Sequence, residues 1–380
     1  MFVKRSIVLS TLLSLLLAAA LVQIGRTAYL QSDASIYLPI VLNRPMPPTS
    51  TQTVGNGTAA SCTETALQNA LQTAGSIAFA CGTGNTTIKL TEALHITQDS
   101  QIDGVNQIIF DGDGRSALFT VAAGVSFEMR RVTLQNSLST NAALTLGENS
   151  VAAIEAVTFT NNVATVGRSY CGGGGALSML EGSQVTIIGS LFSNNSATNG
   201  GAIHNQNGAL VIQASQFLNN QALQATRSQL TLAEQYEQGR RVPTGVCAGG
   251  GAIYTDGVAG KLTISDSRFE GNMTNQHGGA LFLALRSADT VTILDSSFEN
   301  NIAHVSSEWS GTGGALWLGE SQSDQQALQV VIGESAFVGN SAEFQGGAIY
   351  SRIPLHIENS TLTENIARNP AISDLNAWQR

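Results

Sequence analysis

Hydrophobic and polar residues alternate with a period of two over short stretches of this chain, and the same stretch recurs along it. In most copies a phenylalanine follows one aliphatic residue by five positions and another by seven, with a serine two positions before it. Period-two alternation interrupted by short polar segments predicts β-strands, because successive side chains of a strand point to opposite faces. The repeated positions are Phe159, Phe192, Phe217, Phe269, Phe298 and Phe337, with Leu362 in a seventh copy.

An asparagine lies three residues after each of these positions, and the step between copies is 25 residues where nothing is inserted. A unit of that length with three short strands fits one coil of a parallel β-helix, in which stacked coils bury a continuous core. Equivalent residues then lie about 4.8 Å apart, and their side-chain amides can form a ladder. The predicted ladder consists of Asn162, Asn195, Asn220, Asn272, Asn301, Asn340 and Asn365.

A second motif, Gly-Gly-Ala followed by Ile or Leu, alternates with Phe-x-x-Asn over roughly residues 130–370. The paired motifs resemble the repeat of the chlamydial polymorphic outer membrane proteins and related bacterial surface β-helices, with pectate-lyase-like proteins as wider structural relatives. The resemblance implies a right-handed parallel β-helix displayed on a cell surface, often as an adhesin. We therefore expect an all-β, right-handed parallel β-helix solenoid.

A short helix is expected to cap the N-terminal end of this solenoid. Ser61 and Glu64 have the spacing of a capping box, and the apolar residues Leu67 and Leu71 follow one helical turn apart. Gly75 is a stop signal for such a helix. A helix here would cover the strand edges that an open solenoid end exposes.

The N-terminus has the pattern of an export signal. Lys4 and Arg5 precede a long apolar run that contains three consecutive alanines, so the segment is a cleaved signal peptide or an uncleaved membrane anchor. We expect a secreted or cell-surface protein that meets the membrane only through this segment. The predicted organisation is a signal or anchor at 1–25, a proline- and threonine-rich linker at 26–59, a cap with the first coils at 60–125, the repeat solenoid at 126–372 and a tail at 373–380.

The four cysteines are predicted to form two disulfides, because an exported chain with an even cysteine count favours them. Cys62 with Cys81 would join the capping helix to the first strand. Cys171 and Cys247 each lie three residues before a Gly-Gly pair, and a bond between them would tie two long insertions across the coil that separates them.

The longest insertions fall at one turn of the repeat, which places them along one edge of the solenoid. Insertions on one side of a repeat protein often mark its binding face. The three insertions occupy residues 165–173, 223–249 and 304–312.

A large ring follows the Gly-Gly-Ala motif in five coils, and by alternation it points outward. We expect five exposed rings that form a flat platform for a polysaccharide or cell-surface glycan, because sugar rings pack their C–H faces on aromatic surfaces. Self-association through the rings, or their coverage by the insertions, would explain the column equally. The predicted ligand-binding residues are His204, Tyr254, Phe282, Trp317 and Tyr350, with Asp256 and Arg352 beside them.

Carboxylates recur three residues before the phenylalanine, at Asp266, Asp295 and Glu334. Stacked carboxylates repel unless they are protonated or neutralised, and calcium takes several oxygen ligands, so a calcium site is one interpretation. The other is turn chemistry, since other coils have Gly, Ala or Asn at this position.

Charge and motif content narrow the functional classes. The net charge is −9, and Lys89 and Lys261 are the only lysines beyond the N-terminus, so the basic surface that nucleic acid requires is missing. A polysaccharide lyase or glycoside hydrolase is the alternative to a binding protein, but nothing in the sequence places Asp256 across a cleft from Glu270 or Glu299. A structural envelope component is a further alternative. An adhesin-like or glycan-binding surface protein is the preferred hypothesis.

Overall fold

The part of the chain that the structure describes covers most of the predicted solenoid. The computed structural model describes residues 50–73, 75–165, 173–223, 249–286, 288–304, 311–320, 329–368 and 375–377. These residues belong to the unit Met46–Arg380, and the second unit of the chain, Met1–Pro45, lies outside them. The predicted signal or anchor, most of the linker, Cys171, Cys247 and the greater part of each long insertion also lie outside the described residues. None of the helices within the described ranges combines the length and the hydropathy that a bilayer-spanning segment needs.

The described chain forms the predicted right-handed parallel β-helix. A representative coil runs through Ile203–Asn205, then Ala209–Gln213 and Gln216–Leu218, and ends at Gln221–Ala222. Each strand pairs in parallel with the equivalent strand of the next coil, as Phe217 does with Phe269 and Ala222 with Thr274. The pairing is parallel because consecutive coils follow the same path, and three sheets result.

The three sheets contain nineteen, ten and eight of the described strands. Sheet 1, which includes the phenylalanine strands, consists of Thr51–Val54, Gly75–Phe79, Thr86–Lys89, Ser100–Asp111, Ser126–Gln135, Val151–Glu155, Thr158–Thr160, Gln184–Ile188, Leu191–Ser193, Ala209–Gln213, Gln216–Leu218, Lys261–Ser265, Arg268–Glu270, Thr290–Leu294, Ser297–Glu299, Gln329–Gly333, Ala336–Val338, His356–Glu358 and Thr361–Thr363. Sheet 2, which follows the Gly-Gly-Ala motif, consists of Leu94–Ile96, Phe119–Val121, Leu144–Leu146, Leu177–Met179, Ile203–Asn205, Ile253–Asp256, Leu281–Leu285, Leu316–Glu320, Ile349–Ser351 and Leu375–Ala377. Sheet 3 consists of Leu138–Ser139, Val163–Ala164, Ser196–Ala197, Gln221–Ala222, Met273–Thr274, Ile302–Ala303, Ser341–Ala342 and Ile366–Ala367.

The core is built from columns of identical residues. The six repeated phenylalanines are fully buried, and neighbouring ring centroids lie 4.7–4.8 Å apart with planes within 8° of parallel. Aliphatic residues of the preceding strands, such as Ile212 and Ile264, form a second column beside them. Burial of these side chains supplies the main driving force for stacking the coils.

The predicted asparagine ladder is confirmed. From Asn162 to Asn340, each side chain donates through Nδ2 to Oδ1 of the next asparagine at 2.9–3.0 Å. The same Oδ1 accepts the backbone N–H of the preceding asparagine at 3.0–3.1 Å. A parallel ladder joins the repeated serines, as where the Ser215 N–H donates to Oγ of Ser267 at 3.1 Å. These contacts satisfy buried turn amides that would otherwise have no partner.

The predicted capping helix is present, but its first turn differs from the expected one. The helix spans Glu64–Ala70, and its N-cap is Thr63, whose side chain accepts the backbone N–H of Ala66 at 3.2 Å. Ser61 lies in the preceding 3₁₀ turn, Ala59–Ser61, and its Oγ accepts the N–H of Asn56. The prediction of a capping box formed by Ser61 and Glu64 is therefore wrong.

The first predicted disulfide is confirmed, and it fastens the cap to the solenoid. Cys62 is bonded to Cys81, and their Cα atoms are 5.7 Å apart. Cys62 precedes the helix, and Cys81 follows the strand Gly75–Phe79, so the bond joins the two elements as expected. Leu67 and Leu71 of the cap are buried in the same core as the coils.

Candidate functional site

The predicted aromatic residues form a column on the outer face of sheet 2. His204 pairs in register with Tyr254, Tyr254 with Phe282, Phe282 with Trp317 and Trp317 with Tyr350. The residue before each ring points into the solenoid and is fully buried, as the alternation of a strand requires. The sequence therefore places the five rings on neighbouring coils and on the same face.

Three of these rings stack face to face along the solenoid axis. The centroids of Tyr254 and Phe282 lie 4.9 Å apart with planes 5° apart, and those of Phe282 and Trp317 lie 4.2 Å apart with parallel planes. His204 is tilted by 58° to Tyr254. Because the stacked faces cover one another, the column presents ring edges to the outside. The flat platform of exposed faces expected from the sequence is not formed.

The rings are also less exposed than expected. His204 is 7% exposed and Trp317 is 9% exposed. The His277 ring lies beside the stack, with its centroid 6.0 Å from that of Trp317. The backbone of Gly249 lies against Phe282, and the backbone of Gly319 lies against the indole of Trp317, so closely that a Cβ at either glycine would collide with the ring.

A cavity of about 310 Å³ opens at the N-terminal end of the stack, where one face of Tyr254 meets the tilted ring of His204. Three charged side chains converge in it: the Arg286 guanidinium lies 3.7 Å from an oxygen of Glu181 and 3.6 Å from one of Asp256. The buried Nε of Arg286 has no hydrogen-bond partner within the described ranges. The remaining lining residues are Asn199, His204 and Gln206. We call this space the N-terminal cavity.

Burial sets the protonation of the two rings that line the N-terminal cavity. It lowers the pKa of His204 to about 4, so the imidazole is neutral near pH 7. Burial, with the charge of Asp256 adding to it, raises the pKa of Tyr254 to about 12. The Tyr254 hydroxyl therefore keeps its proton at neutral pH and can donate a hydrogen bond.

A second cavity, of about 280 Å³, opens at the other end of the stack, next to Trp317. Within the described residues, no ring contact joins Trp317 to Tyr350, so the outer face of the indole is not stacked on the next ring of the column. Burial lowers the pKa of His277 to about 4, with a further contribution from the charge of Arg352, and its Nδ1 lies 2.7 Å from the Thr312 hydroxyl oxygen. The lining residues of this C-terminal cavity are His277, Thr312, Trp317, Phe344, Tyr350 and Arg352.

Several lining residues were missed by the sequence analysis. His277 and Thr312 occupy the position just before Gly-Gly, and bridges His277–Thr312 and Thr312–Gln345 make that position a column of its own beside the rings. The sequence signal for this column was that the position recurs at a fixed number of residues before each ring. Glu181 and Arg286 belong to no repeated position, so only the folded chain brings them together.

The carboxylates Asp266, Asp295 and Glu334 follow one another on adjacent coils at a turn whose backbone is left-handed, with φ of 48–49°. Burial raises the pKa of Asp295, and the charges of Asp266 and Glu334 raise it further. The same left-handed turn holds Gly189, Ala214 and Asn359 in other coils, which supports the turn-chemistry interpretation. Among the described residues, no group of three or more His, Cys, Asp or Glu side chains is arranged to hold a metal ion. Calcium binding at this turn stays a prediction.

Asp256 does not share a cleft with the carboxylates considered as its catalytic partners. Glu270 and Glu299 lie on sheet 1, where both form ion pairs with Arg268, at 2.9 and 2.8 Å. Asp256 lies on sheet 2, in the N-terminal cavity. The carboxylate that shares its cavity is Glu181.

Comparison with known proteins supports the resemblance found in the sequence. The Chlamydia polymorphic membrane protein repeat matches residues 189–206 and 334–352. Each match runs from the left-handed turn before a repeated phenylalanine through the Gly-Gly-Ala motif to sheet 2. The repeat is that of a family of surface or outer-membrane proteins, which is consistent with a cell-surface location. No curated protein and no solved structure matches the chain.

Proposed function

We propose that this protein is a bacterial surface β-helix that binds carbohydrate at the two ends of the Tyr254–Phe282–Trp317 stack. The observation that carries the proposal is the coincidence of cavities and ring faces. Stacking covers both faces of Phe282, and the two cavities lie where the stack ends, beside Tyr254 and beside Trp317. A sugar ring in either cavity would pack its C–H face on an aromatic face.

Polar groups at both ends supply what a sugar requires besides an aromatic surface. Pyranose hydroxyls both donate and accept hydrogen bonds, and a binding site needs a few well-placed polar groups around an apolar surface. The N-terminal cavity offers carboxylates, a guanidinium and the Tyr254 hydroxyl. The C-terminal cavity offers the Thr312 hydroxyl, the neutral His277 and Arg352. An adhesin-like role at the cell surface follows from this binding together with the surface-protein repeat.

A glycan array probed with the full chain tests the proposal, followed by titration calorimetry with each hit. We expect Trp317→Leu and Tyr254→Leu to weaken binding at their own ends, because each removes the aromatic face that a sugar would cover. The matched control is Phe282→Leu, a ring of the same stack that lines neither cavity. If no saccharide binds, or if the three variants behave alike, the proposal is wrong.

A glycoside hydrolase is the second candidate, and one observation favours it. Glu181 and Asp256 are two carboxylates in one cavity, held by the same arginine, and glycosidases act through a carboxylate pair. Incubating each array hit with the protein and separating the products distinguishes the candidates. Release of shorter saccharides that is lost in both Glu181→Gln and Asp256→Asn would support hydrolysis, and retention of an intact ligand would support binding alone.

A further inference from the structure

Charge is distributed unequally between the two ends of the aromatic stack. In the N-terminal cavity one arginine, Arg286, faces two carboxylates, Glu181 and Asp256. In the C-terminal cavity the described lining includes Arg352 and no carboxylate. The described lining of the C-terminal cavity therefore carries a positive charge, although the net charge of the chain is −9.

The guanidinium of Arg352 is exposed and makes no ion pair or hydrogen bond within the part of the chain that the structure describes. Other arginines of the solenoid are differently placed: Arg131 pairs with Asp103, and Arg268 pairs with Glu270 and Glu299. The strand Ile349–Ser351 ends just before Arg352, whose backbone N–H donates to the carbonyl oxygen of Leu318 at 2.9 Å. The side chain therefore projects from a fixed backbone position next to Tyr350.

The surroundings of Arg352 favour an anion. The planar fork of a guanidinium matches the oxygens of a carboxylate or a sulfate, and it binds them through paired charge-assisted hydrogen bonds. The His277 ring is neutral near pH 7, and the Thr312 hydroxyl beside it can donate or accept. Around the single positive charge, the cavity thus has neutral polar groups and the indole of Trp317.

We propose that the C-terminal cavity binds an acidic saccharide, with its carboxylate or sulfate on Arg352 and its sugar ring on the outer face of Trp317. This inference rests on the proposed function and adds the orientation in which the glycan lies along the stack. The acidic residue of the glycan occupies the Arg352 end of the stack, and a neutral residue occupies the end that already holds Glu181 and Asp256.

Titration calorimetry of the full chain with three probes tests the inference: a hyaluronan tetrasaccharide, which carries carboxylates, a heparin tetrasaccharide, which also carries sulfates, and neutral cellotetraose. We expect an acidic probe to bind more tightly than the neutral one. Arg352→Gln should lower the affinity for the acidic probe about tenfold or more and leave that for the neutral probe unchanged. Arg352→Lys should keep part of the preference, since it keeps the charge and loses the fork.

Arg115→Gln is the matched control, because Arg115 is also exposed and lies on an early coil away from the stack. An equal loss in Arg115→Gln and Arg352→Gln would mean diffuse attraction and would overturn the inference. So would equal affinity for acidic and neutral probes, an outcome that leaves the proposed glycan binding intact. If neither these probes nor the array saccharides bind, the proposed function itself is wrong. The two acidic probes distinguish carboxylate from sulfate recognition.

Discussion

The side chain of Asn195 donates a hydrogen bond to Oδ1 of Asn220 at 3.0 Å, and the same oxygen accepts the backbone N–H of Asn195 at 3.1 Å. The Asn220 side chain thus satisfies two donors of the coil before it. The Nδ2 of Asn220 in turn donates to the carbonyl oxygen of Phe192, also in the coil before it, at 2.9 Å. Each asparagine of the ladder therefore connects a turn of its own coil with the turns of both neighbours.

Replacing Asn220 with alanine should lower the free energy of unfolding by about 2–4 kcal/mol, because several buried polar groups lose their partners at once. Urea denaturation followed by circular dichroism measures the change. Gln216→Ala, an exposed position on the same coil, should lie within about 0.5 kcal/mol of the wild type. Equal midpoints for the two variants would mean that the ladder contributes little to stability.

Replacing Gly319 with alanine should displace the indole of Trp317, since the new methyl group would collide with the edge of the ring. We expect a loss of about 1–3 kcal/mol from overpacking and a change in tryptophan fluorescence. Ala284 occupies the equivalent position one coil earlier and already carries a Cβ.

Ala284→Gly is therefore the matched control for Gly319→Ala. It should leave the tryptophan emission of the protein unchanged and cost about 0.5–1 kcal/mol through the glycine alone. An unaltered spectrum in Gly319→Ala would contradict the close approach of the Gly319 backbone to the indole.

Removing the bond between Cys62 and Cys81 in the double variant C62S/C81S should destabilise the N-terminal cap by about 2–4 kcal/mol, because the bond closes a loop across a sequence separation of 19 residues. Hydrogen exchange should show faster opening of the helix Glu64–Ala70, with the central coils unchanged. Uniform exchange rates in both proteins would contradict a cap held by this bond.

Peptide mapping without reduction should recover Cys62 joined to Cys81 and Cys171 joined to Cys247. The second pair lies outside the described residues, and its bond stays a prediction. A free thiol at either of its members, or a crossed pair, would contradict it.

Replacing Asp295 with asparagine should raise stability at pH 7 by up to about 1 kcal/mol. A carboxyl whose pKa is raised by folding binds its proton more tightly in the folded state, so stability falls as the pH rises from the ordinary value of 3.8 through the folded pKa. Asparagine removes that cost and tolerates the left-handed backbone. The side chain is exposed, so the effect is small.

The gain in Asp295→Asn should disappear at pH values below about 3.8, where the carboxyl is protonated in both states. Thermal melts at pH 7 and pH 3 measure it, and a gain that persists at pH 3 would contradict the electrostatic explanation. The same melts with millimolar calcium test the predicted ion site. A calcium-dependent rise in melting temperature that is lost in Asp295→Asn would support it.

The repeated residues allowed the fold to be predicted, whereas the site depends on contacts that do not repeat. The phenylalanine of Phe217 recurs in six coils and the asparagine of Asn220 in seven, so one copy indicates the environment of the others. Alternation also placed Trp317 on the outer face, but it carries no information on ring orientation, which the stacking on Phe282 decides. Arg286 approaches Glu181 across 105 residues and several coils, and no local pattern encodes that approach.

The N-cap of the first helix is a second feature that the local sequence pattern did not predict correctly. Ser61 and Thr63 both precede Glu64, and both carry a hydroxyl that can cap a helix. The Glu64 carboxylate binds the backbone N–H of Thr91 at 2.7 Å instead of its own helix, so the reciprocal half of the capping box is lost. The sequence pattern around Ser61 does not include this contact, which joins the helix to a residue 27 positions further along the chain.

The ladder of identical contacts makes the length of this protein adjustable in whole coils. Because Asn195 and Asn220 make equivalent bonds, excising residues 193–217 would join Phe192 to Leu218 and leave Asn220 three residues after a phenylalanine, as before. The shortened chain would lose about 4.8 Å of height. It would also bring Tyr254 next to Ser178 in place of His204. Gain or loss of a single coil would thus change the lining of the N-terminal cavity and leave that of the C-terminal cavity as it is.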